Sequence, residues 1–112
     1  MTIYNPAYII ADHIKAACFM IADGVQPSGK QRGYILRRLI RISLSASLKL
    51  NIDITKPEYY AELIDTVIDI YKGVYIEIEQ HRDRILEIIN SEAVKYQKAI
   101  SVGEKEWAKI LK

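Results

Sequence analysis

The sequence predicts an all-α domain, a four-helix, bundle-like fold with a long C-terminal helix. Three observations carry this expectation. Only 5 glycines and 3 prolines occur in 112 residues, which disfavours an all-β domain with many tight turns. Helix starts and stops punctuate the chain between apolar segments of helical period. The C-terminal part then carries a heptad-like apolar seam. Residues 1–112 read as a single domain with a real but small core, half of its residues being hydrophobic.

The first helix starts at Asn5-Pro6. Asn accepts from free backbone N–H groups, and Pro is pre-set for the first helical position. Ile10, Ile14, Ala17 and Ile21 form its apolar stripe, widened by Phe19 and Met20. Asp23-Gly24 ends it, because Gly enters the left-handed conformation at little cost. Val25 to Ser28 is a short loop restricted by Pro27.

Ser28 and Gln31 fit a capping box for the second helix, which runs to about Leu50. Its expected buried stripe is Leu36, Leu39, Ile40, Leu44 and Leu48. Arg37, Arg38 and Arg41 share an adjoining face, roughly prolonged by Lys49. After a link from Asn51 to Ile54, Thr55 and Glu58 form a second capping box. The third helix covers about Pro57 to Lys72, with Tyr60, Leu63, Ile64, Val67 and Tyr71 facing inward, and Gly73 punctuates.

The last helix is expected from about Ile76 to Leu111, on the order of 50 Å at 1.5 Å per residue. Its seam is Leu86, Ile89, Ala93, Tyr96, Ile100, Gly103, Trp107 and Ile110, with Gly103 a candidate bend. Such a helix is longer than a compact domain of this size needs. Part of the seam is therefore a candidate homodimer or helical-partner surface, through Leu86, Ile89, Tyr96, Ile100, Trp107 and Ile110.

Several function classes are disfavoured. One cysteine excludes an internal disulfide framework and a Cys-rich zinc site. No apolar run approaches a membrane span, and Met1 to Ala7 lacks the pattern of a secretory leader, so the expected compartment is the cytoplasm. His13 and His81 are the only histidines, and Cys18 stands at the wrong spacing from His13 for a shared metal. Asp12 and His13 are adjacent on a helix and diverge, so a structural polar contact outweighs an acid–base pair. Pro27-Ser28-Gly29-Lys30 lacks the second glycine and preceding strand of a phosphate loop. No catalytic residue, metal or cofactor is assigned.

The net charge of +2 conceals an asymmetry. Residues 1–56 hold eight basic residues against three acidic ones, and residues 57–112 hold eight against eleven. The basic half concentrates Lys30, Arg32, Arg37, Arg38 and Arg41 at a helix start and along its side. Helix N-termini attract phosphate, and arginines fork onto its oxygens. Tyr34 offers a stacking or sugar contact. The competing reading is internal pairing of these arginines with Asp12, Asp23 or the acidic third helix.

Longer motifs sharpen the choice. Ile10-Ala11-Asp12-His13-Ile14-Lys15 is followed by Phe19-Met20-Ile21-Ala22-Asp23-Gly24-Val25-Gln26-Pro27-Ser28 and by Arg32-Gly33-Tyr34-Ile35-Leu36-Arg37-Arg38-Leu39-Ile40-Arg41. This combination closely resembles the helical middle domain of class II alanyl-tRNA synthetases, which follows their aminoacylation core. Weaker similarity continues through Tyr75-Ile76-Glu77-Ile78 and Tyr96, Ile100 and Gly103. The resemblance implies a tRNA-recognition module without the family's aminoacylation core or its metal-binding editing domain.

This chain also departs from the family pattern. In the family, an Asn after the Pro-Ser pair and a distant Asp read a G·U pair in the acceptor stem. Gly29 holds the Asn position and has no amide to reach a base edge. Lys30 and Gln31 replace the family's Glu and Gly, Ile42 replaces an Arg, and Tyr8 stands where the family has an Arg before the Asp-His element. The positive charge survives, and charge contacts position rather than specify. The resulting expectation is a diverged, free-standing, non-catalytic module. It binds a tRNA acceptor stem or other structured RNA through Gly29, Lys30, Arg32, Tyr34, Arg37, Arg38 and Arg41. A helical oligomerisation module and one piece of a split alanine-tRNA ligase are the alternatives, and Gly29 weighs against the second.

Overall fold

A computed structural model describes residues 5–111, so the N-terminal reading over residues 1–4 lies outside it. The architecture is all-α: α1 (Pro6–Ala22), α2 (Gln31–Lys49), α3 (Pro57–Tyr71), α4 (Ile76–Gln80) and α5 (Arg82–Leu111). Among the described residues, no helix is long and apolar enough to cross a membrane.

The ends of α1 follow its residues. Asn5 is extended and its Oδ1 accepts from Ala7 N at 3.0 Å. At the other end Gly24 has φ +97°. Gly24 N then donates to Ile21 O and Val25 N to Met20 O, a Schellman closure with Val25 buried over it. The same closure ends α2, where Asn51 (φ +59°) takes the left-handed position and Ile52 N donates to Ser47 O.

The two capping boxes are corrected. Lys30, not Ser28, is the N-cap of α2, and no side chain caps it. Ser28 Oγ instead bonds the backbone of Lys30 within the loop. Thr55 likewise gives its N–H and hydroxyl to Asp53 Oδ1, leaving Lys56 as the cap of α3. In both cases a short polar side chain closes its own turn instead of reaching into the next helix.

The core joins Ile14, Ala17, Cys18 and Ile21 of α1 with Leu36, Ile40 and Leu44 of α2. Tyr60, Ile64 and Val67 of α3 close it with Ile78 of α4 and Ile85, Ile89 and Ala93 of α5. Leu39 is only half-buried and Leu48 is exposed, contrary to the expected stripe. Gly33, Ser43, Ala46 and Ser47 are buried on α2 in addition. These small residues let neighbouring backbones approach. Ser43 and Ser47 satisfy their hydroxyls on carbonyls one turn back, and Ser47 also bonds the Tyr59 hydroxyl at 2.6 Å. The 51–56 link is pinned through the Ile54 carbonyl, which accepts from the Tyr60 hydroxyl and Gln97.

The final helix is not one piece. It breaks at His81, because its two sides are anchored on different partners. Ile78 is buried in the core and Tyr75 packs edge-on against Phe19 of α1. Arg82 forks onto Asp65 of α3, with contacts of 2.6 and 3.0 Å. This pairing holds the Asp65 carboxyl below its ordinary range, the hydrogen bonds from Arg82 being the main cause. Beyond the break α5 is continuous through Gly103, which does not interrupt the helix. Cys18 is fully buried and its thiol pKa is pushed up to about 12 by desolvation, so it serves as a small core residue. His13 Nδ1 lies 2.8 Å from the Ile9 carbonyl, a contact within its own helix.

Two neighbouring positions at the start of α2 carry opposite expectations. A Cβ on Gly33 would fall 2.6 Å from the Gln26 carbonyl oxygen and 2.1 Å from Ser28 Oγ. Gly33→Ala therefore destabilises the fold, by about 1–3 kcal/mol. Gln31 has φ +50°, a left-handed conformation that costs a non-glycine residue about 1 kcal/mol or more. Gln31→Gly, the residue of the resembling family, therefore raises the melting temperature. Thermal melts of the two variants should move in opposite directions.

Candidate nucleic-acid interface

The loop and helix of residues 29–41 were the candidate site, and the structure divides it into two faces. Gly29 and Lys30 are exposed where the chain enters α2, and a Cβ on Gly29 would meet open space. Tyr34 and Arg38 are exposed one turn apart, with the Arg38 guanidinium carbon 5.9 Å from the Tyr34 ring centre. The contact lies within cation–π range and pre-orients the cation without neutralising it. Arg32 is exposed and pairs with Asp23 at 2.8 Å, as the competing reading allowed. That surface pair contributes little to stability.

Arg37 and Arg41 behave differently. They lie one turn apart on the side of α2 that faces α5, and both converge on Glu92. Arg41 Nε is 2.7 Å from Glu92 Oε2, and Arg37 Nε is 3.3 Å from Oε1 and 3.2 Å from Oε2. The carboxylate is 1% exposed, whereas the two arginine side chains keep 28% and 34% of their surface in solvent. Arg41 also lies over the Tyr96 ring, 5.9 Å from its centre. The partner is thus on α5, and not Asp12, Asp23 or α3. One carboxylate of the acidic half, residues 57–112, is therefore the anchor for two cations of the basic half.

The C-terminal seam is also divided. Ile89 is fully buried, and Leu86 and Tyr96 pack against the core, so these three are spent within the domain. Ile100 is half-buried, while residues 101–111 all lie exposed, including Trp107 at 61% and Ile110. The part of the seam free to meet another surface is therefore its last third. No group of three or more His, Cys, Asp or Glu side chains able to hold a metal occurs among the described residues.

A family model described as tRNA synthetases class II (A) matches residues 1–112. The chain belongs to the alanyl-tRNA synthetase family. It is 45% identical over 104 residues to the alanine–tRNA ligase of Borreliella afzelii, covering 91% of this chain and 17% of that protein. The alanine–tRNA ligase of Mycoplasmoides gallisepticum is 37% identical over 95 residues, covering 85% of this chain and 10% of its own length. That of Bacillus mycoides is 35% identical over 103 residues, covering 92% and 11%. The chain thus spans between a tenth and a fifth of these relatives.

Burial makes the Glu92 cluster asymmetric. Glu92→Leu leaves two arginines that can turn into water, and its stability cost stays near 1 kcal/mol. Arg37→Met/Arg41→Met leaves a buried carboxylate without its donors, at a cost of about 3 kcal/mol. Urea denaturation of the two variants should show the arginine pair to be the more damaging loss.

Proposed function

We propose that this synthetase-family segment is a non-catalytic module that binds tRNA, at the acceptor stem or a similarly structured duplex, through the start and outer face of α2. One observation carries this reading. Lys30, Tyr34 and Arg38 recur four residues apart at the exposed start of α2, and Arg32 is exposed in the same first turn, in a chain whose relatives are named alanine–tRNA ligases. Lys30 and Arg38 supply phosphate contacts, and the backbone near Gly29 and the helix dipole add to them. Tyr34 offers a hydroxyl or a ring face to a sugar. Arg32 contributes through the guanidinium donors not taken by Asp23. Arg37 and Arg41 hold the helix in place through Glu92 and face RNA only with their remaining edges. Binding of this kind orients an RNA helix without reading its bases, because Gly29 has no amide side chain.

A second reading draws on the exposed end of α5. Ile100, Trp107 and Ile110 continue the heptad spacing past the core, which suits a helical protein partner. A concentration-dependent shift on a sizing column would favour pairing between copies.

The structure decides which variants test RNA binding cleanly. Charge reversal at Arg37 or Arg41 would set like charges against buried Glu92 and unfold the domain. Lys30→Glu/Arg38→Glu alters exposed positions and keeps the core. It should weaken binding to bulk tRNA at low salt by at least about ten-fold, with an unchanged circular dichroism spectrum and melting temperature. Wild-type protein that produces no mobility shift with tRNA at low salt contradicts the reading.

A further inference from the structure

A second feature shares Arg32 with this face. Between α1, the start of α2 and α4 lies an open cleft of about 430 Å³, lined by Phe19, Met20, Asp23, Arg32, Tyr75 and Glu77 among others. Its floor is aromatic and thioether. Phe19 meets Tyr75 edge-on at 4.9 Å and 81°, and Tyr71 meets Tyr75 at 5.9 Å and 73°. Neither ring lies flat on Tyr75, which remains 48% exposed. The rim carries one cation and two carboxylates, Arg32 being paired with Asp23 at 2.8 Å.

We propose that this cleft takes one unpaired, amino-bearing nucleobase of a bound RNA. The inference rests on the RNA-binding reading above and extends it. A base is flat and apolar on its faces, and an exposed tyrosine is a suitable stacking platform. Its edge carries an exocyclic amino group, for which Asp23 and Glu77 are acceptors. Arg32 at the rim reaches the phosphate of the same nucleotide with donors left over from Asp23. The carboxylates would repel a bare phosphate, so the cleft suits the base and not the backbone. Arg32 stands at the junction, so a strand following Lys30 and Arg32 can turn its base inward there.

The experiment compares two RNA hairpins that differ at one single-nucleotide bulge, adenosine in one and an abasic ribose in the other. Wild-type protein should bind the adenosine bulge about ten-fold more tightly. Tyr75→Ala should erase that preference and Tyr75→Phe should keep it. Glu77→Ala, at an exposed position, should reduce it without touching the aromatic packing. Equal wild-type affinity for the two hairpins overturns the cleft assignment and leaves the RNA-binding reading standing. If neither hairpin binds, the RNA reading itself fails. The cleft is then judged by titrating adenosine monophosphate into labelled protein. Amide shifts confined to residues around Tyr75 and Asp23 support a nucleobase site, and their absence overturns it.

Discussion

A carboxylate shut away from water needs donors for its oxygens, and among the described residues Glu92 finds them in Arg37 and Arg41 of the facing helix. The remainder of the arrangement depends on that pairing. Glu92 lies in the stretch of α5 that also buries Ile89 and Ala93, so its position is fixed by core packing. Arg37 and Arg41 must then face α5, one turn apart on α2. Arg38, opposite the core-facing Leu36 and Ile40, then points to solvent, and Tyr34 lies exposed beside it. Together with the core stripe of Leu36, Ile40 and Leu44, the buried charge thus holds α2 in the rotation that leaves Arg38 exposed. Buried ion pairs are weak sources of net stability but exacting about geometry, which is the property this role requires.

The loop ahead of α2 is constrained just as closely. Gly33 allows the Gln26–Ser28 segment to lie against the helix, and the Schellman closure at Gly24 returns the chain toward it. Gln31 adopts its left-handed backbone so that the chain can turn from that segment into the helix. These devices bring Arg32 and Asp23 to the mouth of the cleft under Tyr75, with Lys30 exposed at the same helix start. The proposed phosphate-binding face and the proposed base cleft therefore share one local fold.

Much of this was legible in the sequence, and the reasons differ from element to element. The start at Asn5-Pro6 and the stop at Asp23-Gly24 were readable because each cap acts within a few residues. Ser28 and Thr55 misled because short polar side chains have two local uses, and only the chain path decides between them. Gly103 reads as a candidate bend on propensity alone, and the helix assignment continues through it. The division of the arginines was not legible, because it depends on a partner more than fifty residues away. A signal existed, a lone glutamate at helical spacing between Ile89 and Tyr96 inside an apolar stripe. The cleft left no such trace, since Phe19, Arg32 and Tyr75 come together only in the folded chain.

The central claim is that α2 uses Arg37 and Arg41 to hold α5 and its outer cations to meet RNA. The most direct test is the salt dependence of tRNA affinity in Arg37→Met/Arg41→Met/Glu92→Met, which replaces the buried cluster as a unit and so leaves no unpaired charge. Each phosphate contact contributes roughly 0.7–0.9 to the slope of log affinity against log salt. The account predicts a folded variant whose slope matches wild type to within about one contact. A slope reduced by about two contacts in a folded variant would show that Arg37 and Arg41 are themselves the RNA ligands, and would contradict it.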